Sequence, residues 1–447
     1  RNCGCGREPD APDPADSDYI PGRFPAASVR PGHGSRQQDQ HWHRGVQRTA
    51  GGLIAVSLCG TNCLPVAEAL EIGMSDPPAM ARTRRLILHA GTHKTASSDI
   101  QCRLRRSASL LADQKIIYQF PDEDQWDFKQ LVKAMSKERW GPWHSYLKRW
   151  SKTDADVLIS AEQFGPQLTC VGAVSALQTI AREHGFKLTI VIFIRSQLDY
   201  INSRYGYSLK RFYHSKTFAE YVQDVLDGER MIKGKAVETD NRRSDIFDFW
   251  NYFSSLLNER NCGLDVRFIP FRQTHPDPFI QFLHSLELDP SLPWAEHRES
   301  SLNSGTGPRG TWLARELSQR LRHHGISPRA ISGSTTIIPK ETAFRGWDDG
   351  KFWGFNAALA HRVQDHFKAN NNLFAQAAWG RPWKEVFIHD KALLNRPENS
   401  FVPSGPEETV QMHRIADHLL LRIHRRQTHR RLHRLREPIE RLMSRVV

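Results

Sequence analysis

A lysine flanked by hydroxyl side chains follows a short apolar run near residue 90. Residues 86–101 read LILHAGTHKTASSDIQ, with a glycine at 91 and the lysine at 94. A strand that ends in a glycine turn and opens a helix directs several backbone N–H groups at one point, and the helix dipole adds positive potential there. The stretch therefore predicts an anion site, to which Lys94 adds a full charge and Thr95, Ser97 and Ser98 add donors.

The spacing in this loop differs from that of the commonest ATP-binding phosphate loop. That motif is Gly-x-x-x-x-Gly-Lys-Ser/Thr, whereas here Gly91 precedes Lys94 by three residues and His93 stands directly before the lysine. On this stretch alone, an ordinary strand–turn–helix with a solvated lysine is the alternative interpretation.

A second pair of candidate anion ligands occurs in VIFIRSQLDYINSRY, residues 191–205. Arg195 stands at the end of a predicted strand, and Ser203 follows eight residues later in the next helix. Arginine offers a planar fork of donors and serine offers a hydroxyl, so the two could bind one phosphate. Taken alone, a surface arginine and an unrelated helix serine is the simpler interpretation.

From residue 84 onward, short apolar runs alternate with helical stretches. The predicted strands are 84–90, 115–120, 154–162, 187–195 and 264–271, and the predicted helices are 95–111, 171–184, the stretch through Tyr205 and Leu209, and Phe279–Leu286. This alternation predicts an α/β fold, with a mostly parallel central sheet flanked by helices on both faces. Ligands of such sheets bind at the carboxyl ends of the strands. We therefore expect Glu162, at the end of the third strand, to lie beside the loop.

The composition is that of a soluble globular protein with anionic partners. The 447 residues are 39% hydrophobic and 25% charged, and the net charge is +13 with histidine neutral. That charge favours partners such as nucleotides, acidic sugars, nucleic acid or lipid head groups. No run approaches the roughly 18 apolar residues that a membrane span needs. The seven cysteines are scattered, which fits a reducing compartment, and we expect a cytoplasmic protein.

Three regions differ in pattern. Residues 1–80 are rich in Pro, Gly, Asp and Arg without any period, and we expect a disordered or spurious extension with the biological start at Met74 or Met80. Residues 81–400 carry the α/β pattern. Residues 401–447 form a basic tail, in which apolar residues alternate by three and four from Leu432 to Val446, so that a helix interrupted at Pro438 is predicted.

Together, the loop and the Arg195–Ser203 pair resemble the PAPS-dependent sulfotransferases of bacterial type, which have a P-loop-like fold. In that family the loop reads roughly His-x-Gly-x-x-Lys-Thr-Gly-Thr-Thr, against HAGTHKTASS here, and a strand ends in Ser-Ser-Glu, similar to ISAE at 159–162. Weaker similarity continues through RESSLN (298–303) and KANNNLFAQAAWG (368–380). The resemblance covers roughly residues 84–385.

The resemblance implies a role for each matching residue. PAPS, 3'-phosphoadenosine 5'-phosphosulfate, would be the co-substrate, with no metal, and Lys94 would be catalytic. Arg195 and Ser203 would bind the 3'-phosphate. The 5'-phosphosulfate would lie on the loop residues Gly91, Thr92, His93, Lys94, Thr95, Ala96, Ser97 and Ser98. The acceptor would be a hydroxyl or amine, and a carbohydrate is the expected class, recognised within 120–150, 205–245 and 325–355.

The general base is open at this stage. Glu162 is the first choice, and its alternative role is to orient Lys94 or to cap the next helix. The other candidates are Asp122, Glu123, Asp124, His144 and His93. Ala96 and the Ser97–Ser98 pair replace the glycine and the two threonines of the family pattern. Alanine is the better helix former, although its methyl could crowd a phosphate.

Two other functions compete with this interpretation. A P-loop kinase or NTPase would need an Asp that ligates Mg²⁺ after an apolar strand, and no such Asp is evident. A non-catalytic basic protein could bind an anionic glycan or a membrane surface through the arginine-rich tail. Nucleic acid is not expected, because no recognised binding module accompanies the charge.

Overall fold

Five parallel strands form the central sheet of the computed structural model, which describes residues 82–122, 127–228, 246–272, 276–297 and 305–443. The strands are β1 (Arg84–Gly91), β2 (Ile116–Ile117), β3 (Asp156–Ser160), β4 (Phe186–Ile194) and β5 (Asp265–Pro270). Their order across the sheet is β2-β3-β1-β4-β5, so the strand that precedes the loop lies in the centre. His89 of β1 is in register with Ser160 of β3 and with Val191 of β4.

Both faces of the sheet are covered. Every residue of β3 is buried, as are Leu86–Gly91 of β1 and Leu188–Ile194 of β4. Successive side chains of a strand point to opposite faces, so strands buried along their whole length must have a covering layer on each side. The predicted α/β sheet with helices on both faces is therefore confirmed at this level.

Helices make up most of the remaining described chain. They are α1 (Ser97–Arg106), α2 (Ala108–Asp113), α3 (Lys129–Ser136), α4 (Gly141–Lys148), α5 (Val171–Glu183), α6 (Gln197–Lys210), α7 (Phe218–Leu226), α8 (Phe249–Tyr252), α9 (Ser254–Asn261), α10 (Pro278–Ser285), α11 (Pro308–His323), α12 (Ser334–Phe344), α13 (Ala357–Trp379), α14 (Trp383–Val386), α15 (Asp390–Leu394) and α16 (Pro406–Met443). Short 3₁₀ turns cover Glu162–Phe164, Gln167–Thr169 and Pro328–Ala330.

Two sequence predictions fail at positions where the backbone takes an unusual conformation. The predicted strand 115–120 is reduced to Ile116–Ile117, and its start is set by Lys115, which lies in the left-handed region with φ 55°. The predicted helix 95–111 is two helices, and the first begins at Ser97 because Ala96 is also left-handed. The break falls at Ser107, whose hydroxyl accepts a hydrogen bond from the Ala295 N–H at 2.9 Å.

Three consecutive asparagines of α13 tie separate elements to the helical layer. The Asn371 amide donates to Gln197 Oε1 at 2.8 Å and thereby fixes the start of α6. Asn370 Nδ2 donates to Asp248 Oδ2 at 2.6 Å, and Asn372 Oδ1 accepts from the Trp383 N–H at 3.2 Å. The start of α6 is the part of this framework nearest to Arg195.

The last helix packs through its first half. Met412, Ile415, Ala416, Leu419 and Ile423 are buried, the helix lies against α11, and Arg320 Nε donates to Asp417 Oδ1 at 2.8 Å. The predicted interruption at Pro438 is wrong, since α16 continues to Met443. A proline inside a helix removes one backbone hydrogen bond and can be accommodated by a kink. Among the described residues, no helix combines the length and apolar character needed to cross a bilayer.

A close backbone approach holds the end of β1 against the turn after β3. A Cβ added at Gly165 would lie 2.5 Å from the Gly91 carbonyl oxygen, which is far inside van der Waals contact. Gly165 itself has ordinary helical dihedrals, φ −46° and ψ −55°. Its lack of a side chain is thus required by space and not by conformation.

We expect Gly165→Ala to lower the free energy of unfolding by about 1–3 kcal/mol, because the added methyl forces the loop and the turn apart. Gly172→Ala is the matched control, since no atom of the described residues lies within 4 Å of a Cβ there and the residue is helical. That control should leave stability unchanged or raise it by up to about 1 kcal/mol. Urea denaturation measures both variants, and equal effects would contradict the close approach.

Candidate anion-binding site

The loop after β1 has alternating backbone handedness. Lys94 and Ala96 have positive φ, 70° and 60°, and Thr95 between them does not. Alternation of this kind turns successive N–H groups toward one point and forms an anion-binding concavity. Two hydroxyls hold the loop in this shape, because Thr95 donates to the Thr92 carbonyl at 2.7 Å and Thr92 donates to the Phe193 carbonyl of β4 at 3.0 Å.

The left-handed conformation of Ala96 changes the expected effect of having alanine in place of glycine at this position. The expectation that alanine favours the helix here is wrong, because Ala96 precedes α1 and has φ 60° and ψ 18°. In that region a Cβ is crowded by the following carbonyl, at a cost of roughly 1–2 kcal/mol. Glycine avoids this cost, so the alanine keeps the loop in a strained form.

The Lys94 ammonium lies in a cationic environment. Its Nζ is 5.2 Å from the centroid of the Tyr207 ring, and within the described ranges it makes no salt bridge. Burial lowers the pKa of Lys94 to about 8, and the neighbouring charges of Lys210 and Arg195 act in the same direction. An anion bound next to Lys94 would interact with an ammonium group that is largely removed from water.

Arg195 joins the end of β4 to the loop. Its Nη1 donates to the Lys94 carbonyl at 2.6 Å, and its Nε donates to Asp199 Oδ2 at 2.9 Å. Ser203 follows Asp199 by four residues in α6, so both side chains lie on the same face of that helix. The structure therefore brings Lys94 and Arg195 together and places Ser203 on the helix face that Arg195 contacts through Asp199.

Glu162 begins the turn after β3 and lies beside the loop. Its Oε1 is 3.4 Å from His93 Nδ1. Burial raises the pKa of the Glu162 carboxyl, but hydrogen bonding and charge from His93, together with the charge of Lys94, outweigh this and hold the pKa below its usual range. The carboxylate is thus ionised near neutral pH and is a weak base that balances part of the surrounding positive charge.

The serines of the loop have different exposures. Ser98 is exposed, whereas Ser97 is 2% exposed. The Ser97 hydroxyl faces Glu162 without completing a hydrogen bond of good geometry. A Cβ added at Gly91 would lie 3.0 Å from this hydroxyl, so the absence of a side chain at Gly91 lets the end of β1 approach Ser97 closely. Within the described residues, the Ser97 hydroxyl is thus a buried donor without a committed partner.

A buried histidine lies beneath the loop. His89 Nδ1 and Ser160 Oγ are 2.7 Å apart, and no described residue offers a hydrogen-bond partner to His89 Nε2. Burial lowers the pKa of His89 to about 4 although the charge of Glu162 opposes this, so the ring is neutral at physiological pH. Its edge contact with Phe193 and its tilted contact with Phe282 make it part of the packed layer beneath the loop.

The other candidates for the general base that the structure describes contact different residues. His144 Nδ1 is 3.3 Å from His184 Nε2 and 3.7 Å from Glu183 Oε2. Asp122 accepts a hydrogen bond from Gln130 Nε2 at 3.5 Å. Glu123 and Asp124, the RESSLN segment and residues 1–80 lie outside the described residues.

Sequence reasoning missed several residues of the site, all on α6. Asp199 holds Arg195, and its spacing of four residues was a signal that could have been used. The ring of Tyr207, one turn beyond Ser203, makes a cation–π contact with the Lys94 ammonium. Arg204 and Lys210 add charge near Lys94 and have no motif that would have revealed them.

Comparison with known proteins adds no family assignment. Neither a protein-family model nor a curated protein matches this sequence.

We expect Ala96→Gly to raise the free energy of unfolding by about 0.5–1 kcal/mol, because relief of the left-handed strain exceeds the added entropy of the unfolded chain. Ala369→Gly is the control at an exposed position within α13, where the same change should cost about 1 kcal/mol. Chemical denaturation distinguishes the two signs. A loss of stability in both variants would show that Ala96 is unstrained.

Proposed function

We propose that this protein is a PAPS-dependent sulfotransferase, which moves a sulfuryl group from PAPS to a hydroxyl or amine of an acceptor. The observation that carries the proposal is the hydrogen bond from Arg195 to the Lys94 carbonyl, which joins two anion-binding elements 101 residues apart in the chain. PAPS carries charged groups at both the 5' and the 3' position of one nucleoside. A ligand of that kind needs two such elements side by side.

The strand order supports a P-loop-like nucleotide-binding topology as part of this proposal. β1 lies between β3 and β4, and the chain leaves it toward β2 on one side and later reaches β4 on the other. Open parallel sheets bind ligands at the point where the strand order reverses, outside the carboxyl ends of the strands. The loop after β1 lies at that point.

In the proposed reaction an acceptor oxygen or nitrogen attacks sulfur while the bond from sulfur to the bridging oxygen breaks. Adenosine 3',5'-bisphosphate leaves, and negative charge develops on the bridging oxygen. The Lys94 ammonium would stabilise that charge, with Ser97 and the loop N–H groups on the 5'-phosphate. Glu162 would accept the acceptor's proton, and its alternative role is to hold His93 and Lys94 in place. The neutralisation of the leaving phosphate by Lys94 and the loop makes a metal unnecessary in this scheme.

The wider proposal places the enzyme in the cytoplasm and gives it a carbohydrate acceptor. The scattered spacing of the seven cysteines in the sequence supports the reducing compartment of this proposal. The rival functions are a magnesium-dependent phosphotransferase and a non-catalytic protein that binds anionic surfaces through the tail. A requirement for Mg²⁺ would favour the first, and steep salt dependence without any effect of PAPS would favour the second.

Calorimetric titration with adenosine 3',5'-bisphosphate, without magnesium, tests the cofactor. We expect binding of the bisphosphate and not of ATP, and we expect Arg195→Ala to weaken it by about 10- to 100-fold, the worth of a charge-assisted hydrogen bond. Arg182→Ala, an exposed arginine of α5, should change nothing.

Adenosine 5'-monophosphate separates recognition of the 3'-phosphate from damage to the loop. If Arg195→Ala weakens the binding of both nucleotides equally, Arg195 acts on the loop and not on the 3'-phosphate.

Lys94→Ala should lower the rate of sulfuryl transfer by about 10²–10³-fold, since one charge-stabilising donor is lost. Near-normal turnover in Lys94→Ala would refute the assignment.

The lowered pKa of Lys94 predicts a pH dependence of bisphosphate binding. Free protein loses the Lys94 proton as the pH rises through about 8, whereas a bound phosphate favours the ammonium form. Affinity should therefore be constant just below pH 8 and fall by up to about tenfold per pH unit above it. Titrations from pH 7.5 to 10 measure this, and Lys94→Arg, which does not titrate, should abolish the fall.

A further inference from the structure

Two exposed apolar residues of α16 lie on the face opposite its buried one. Val410 and Leu421 are 48% and 56% exposed. They are eleven residues apart, which is close to three whole helical turns, so they share one face of the helix. Leu421 stands two residues after buried Leu419 and two before buried Ile423, which places it about half a turn away from the buried face.

The sequence continues this exposed face along the second half of the helix. Leu432 is again eleven residues beyond Leu421, and from there apolar residues recur at intervals of three and four. Because α16 passes through Pro438 and continues to Met443, these residues belong to one helix. We use the name apolar stripe for Leu421, Leu432, Leu435, Ile439 and Leu442.

The same half of the helix is strongly basic. Residues 421–443 contain eight arginines and two glutamates. Arg431 directly precedes Leu432 and borders the stripe on one side. Arg436 directly follows Leu435 and borders it on the other side. An apolar stripe bordered by arginines is typical of a helix that lies in the surface of an anionic membrane, where the guanidinium groups reach the lipid head groups.

A second copy of the same helix would fit the stripe poorly. With Leu432 and Leu435 at the a and d positions of a heptad, Arg431 and Arg436 occupy g and e positions. In a parallel pair, g and e positions of the two helices face each other, so arginine would meet arginine. The e and g positions between 429 and 443 include no acidic residue in the sequence, so the pair gains no complementary charge.

We propose that α16 binds the surface of a membrane that contains anionic lipids, with the apolar stripe in the interface and the arginines at the head groups. A soluble polyanion would engage the arginines but would leave the stripe without a partner. The stripe covers one face, so the helix lies along the membrane and does not cross it. This binding is independent of the proposed sulfotransferase function, because the residues named for the anion site lie on other elements.

Co-sedimentation of the full chain with lipid vesicles tests the proposal. One set of vesicles is phosphatidylcholine alone, and the other contains phosphatidylglycerol as about one third of its lipid. We expect the chain to bind the anionic vesicles at least about tenfold more tightly than the neutral ones. High salt should reduce this difference, because it screens the attraction between the arginines and the lipid surface.

Leu432→Gln with Ile439→Gln removes apolar area from the stripe and keeps every charge. The pair should weaken binding to the anionic vesicles by at least about tenfold and leave binding of heparin, a soluble polyanion, unchanged. Leu373→Gln with Ile388→Gln is the matched control, since these two residues are 49% and 61% exposed and lie outside α16. It should change neither quantity.

Arg431→Gln with Arg436→Gln removes two charges beside the stripe. This pair should weaken binding to the anionic vesicles by about 10- to 30-fold, since each arginine near such a surface contributes roughly fivefold. Arg139→Gln with Arg182→Gln lowers the net charge equally at two exposed positions outside α16 and should have an effect of less than about twofold.

Four outcomes would overturn the inference. The first two are equal binding of the two kinds of vesicle, and a loss of heparin binding in Leu432→Gln with Ile439→Gln as large as its loss of vesicle binding. The third is a dimer in sedimentation velocity that the same variant converts to a monomer, which would assign the stripe to a second copy. The fourth is a lowered urea midpoint in that variant, which would assign the stripe to packing within the chain.

Discussion

The candidate site depends on the hydrogen bond from the Arg195 guanidinium to the Lys94 carbonyl, at 2.6 Å. The loop that it holds has two non-glycine residues in the left-handed region, which is unfavourable for an L-residue in isolation. A charge-assisted hydrogen bond is among the stronger interactions available to offset that strain. Because Arg195 leaves β4 and leads into α6, the same contact fixes the loop relative to the helix that carries Ser203 and Tyr207.

Residues remote in sequence keep this arrangement rigid. Asp199 holds the Arg195 side chain, and Asn371 holds Gln197 at the start of α6. On the other side of β1, the absence of a side chain at Gly165 lets the turn that carries Glu162 approach the Gly91 carbonyl. The helical second half of the chain therefore does more than cover the sheet, because α13 holds the first residue of α6 through the hydrogen bond from Asn371 to Gln197.

The electrostatic balance of the site favours an anion. Lys94, Arg195, Arg204 and Lys210 lie near one another, and Glu162 is the carboxylate that opposes the lowering of the pKa of Lys94. Burial and the repulsion between these cations both disfavour their charged forms when no anion is bound. A bound anion would relieve that repulsion and so would stabilise the folded protein by mass action. This stabilisation comes from the negative charge of the ligand and does not depend on which anion is bound.

The sequence by itself determined the alternation of strands and helices, the loop at 91–98 and its neighbours Glu162 and Arg195, because each depends on a local period or on the order of elements along the chain. Tertiary structure decided the left-handed conformation of Ala96, the break at Ser107, the passage of α16 through Pro438 and the gathering of cations around Tyr207. Partners such as Asn371 and Gln197 are 174 residues apart. No local pattern encodes contacts of that range, since they exist only when packing brings the separate elements together.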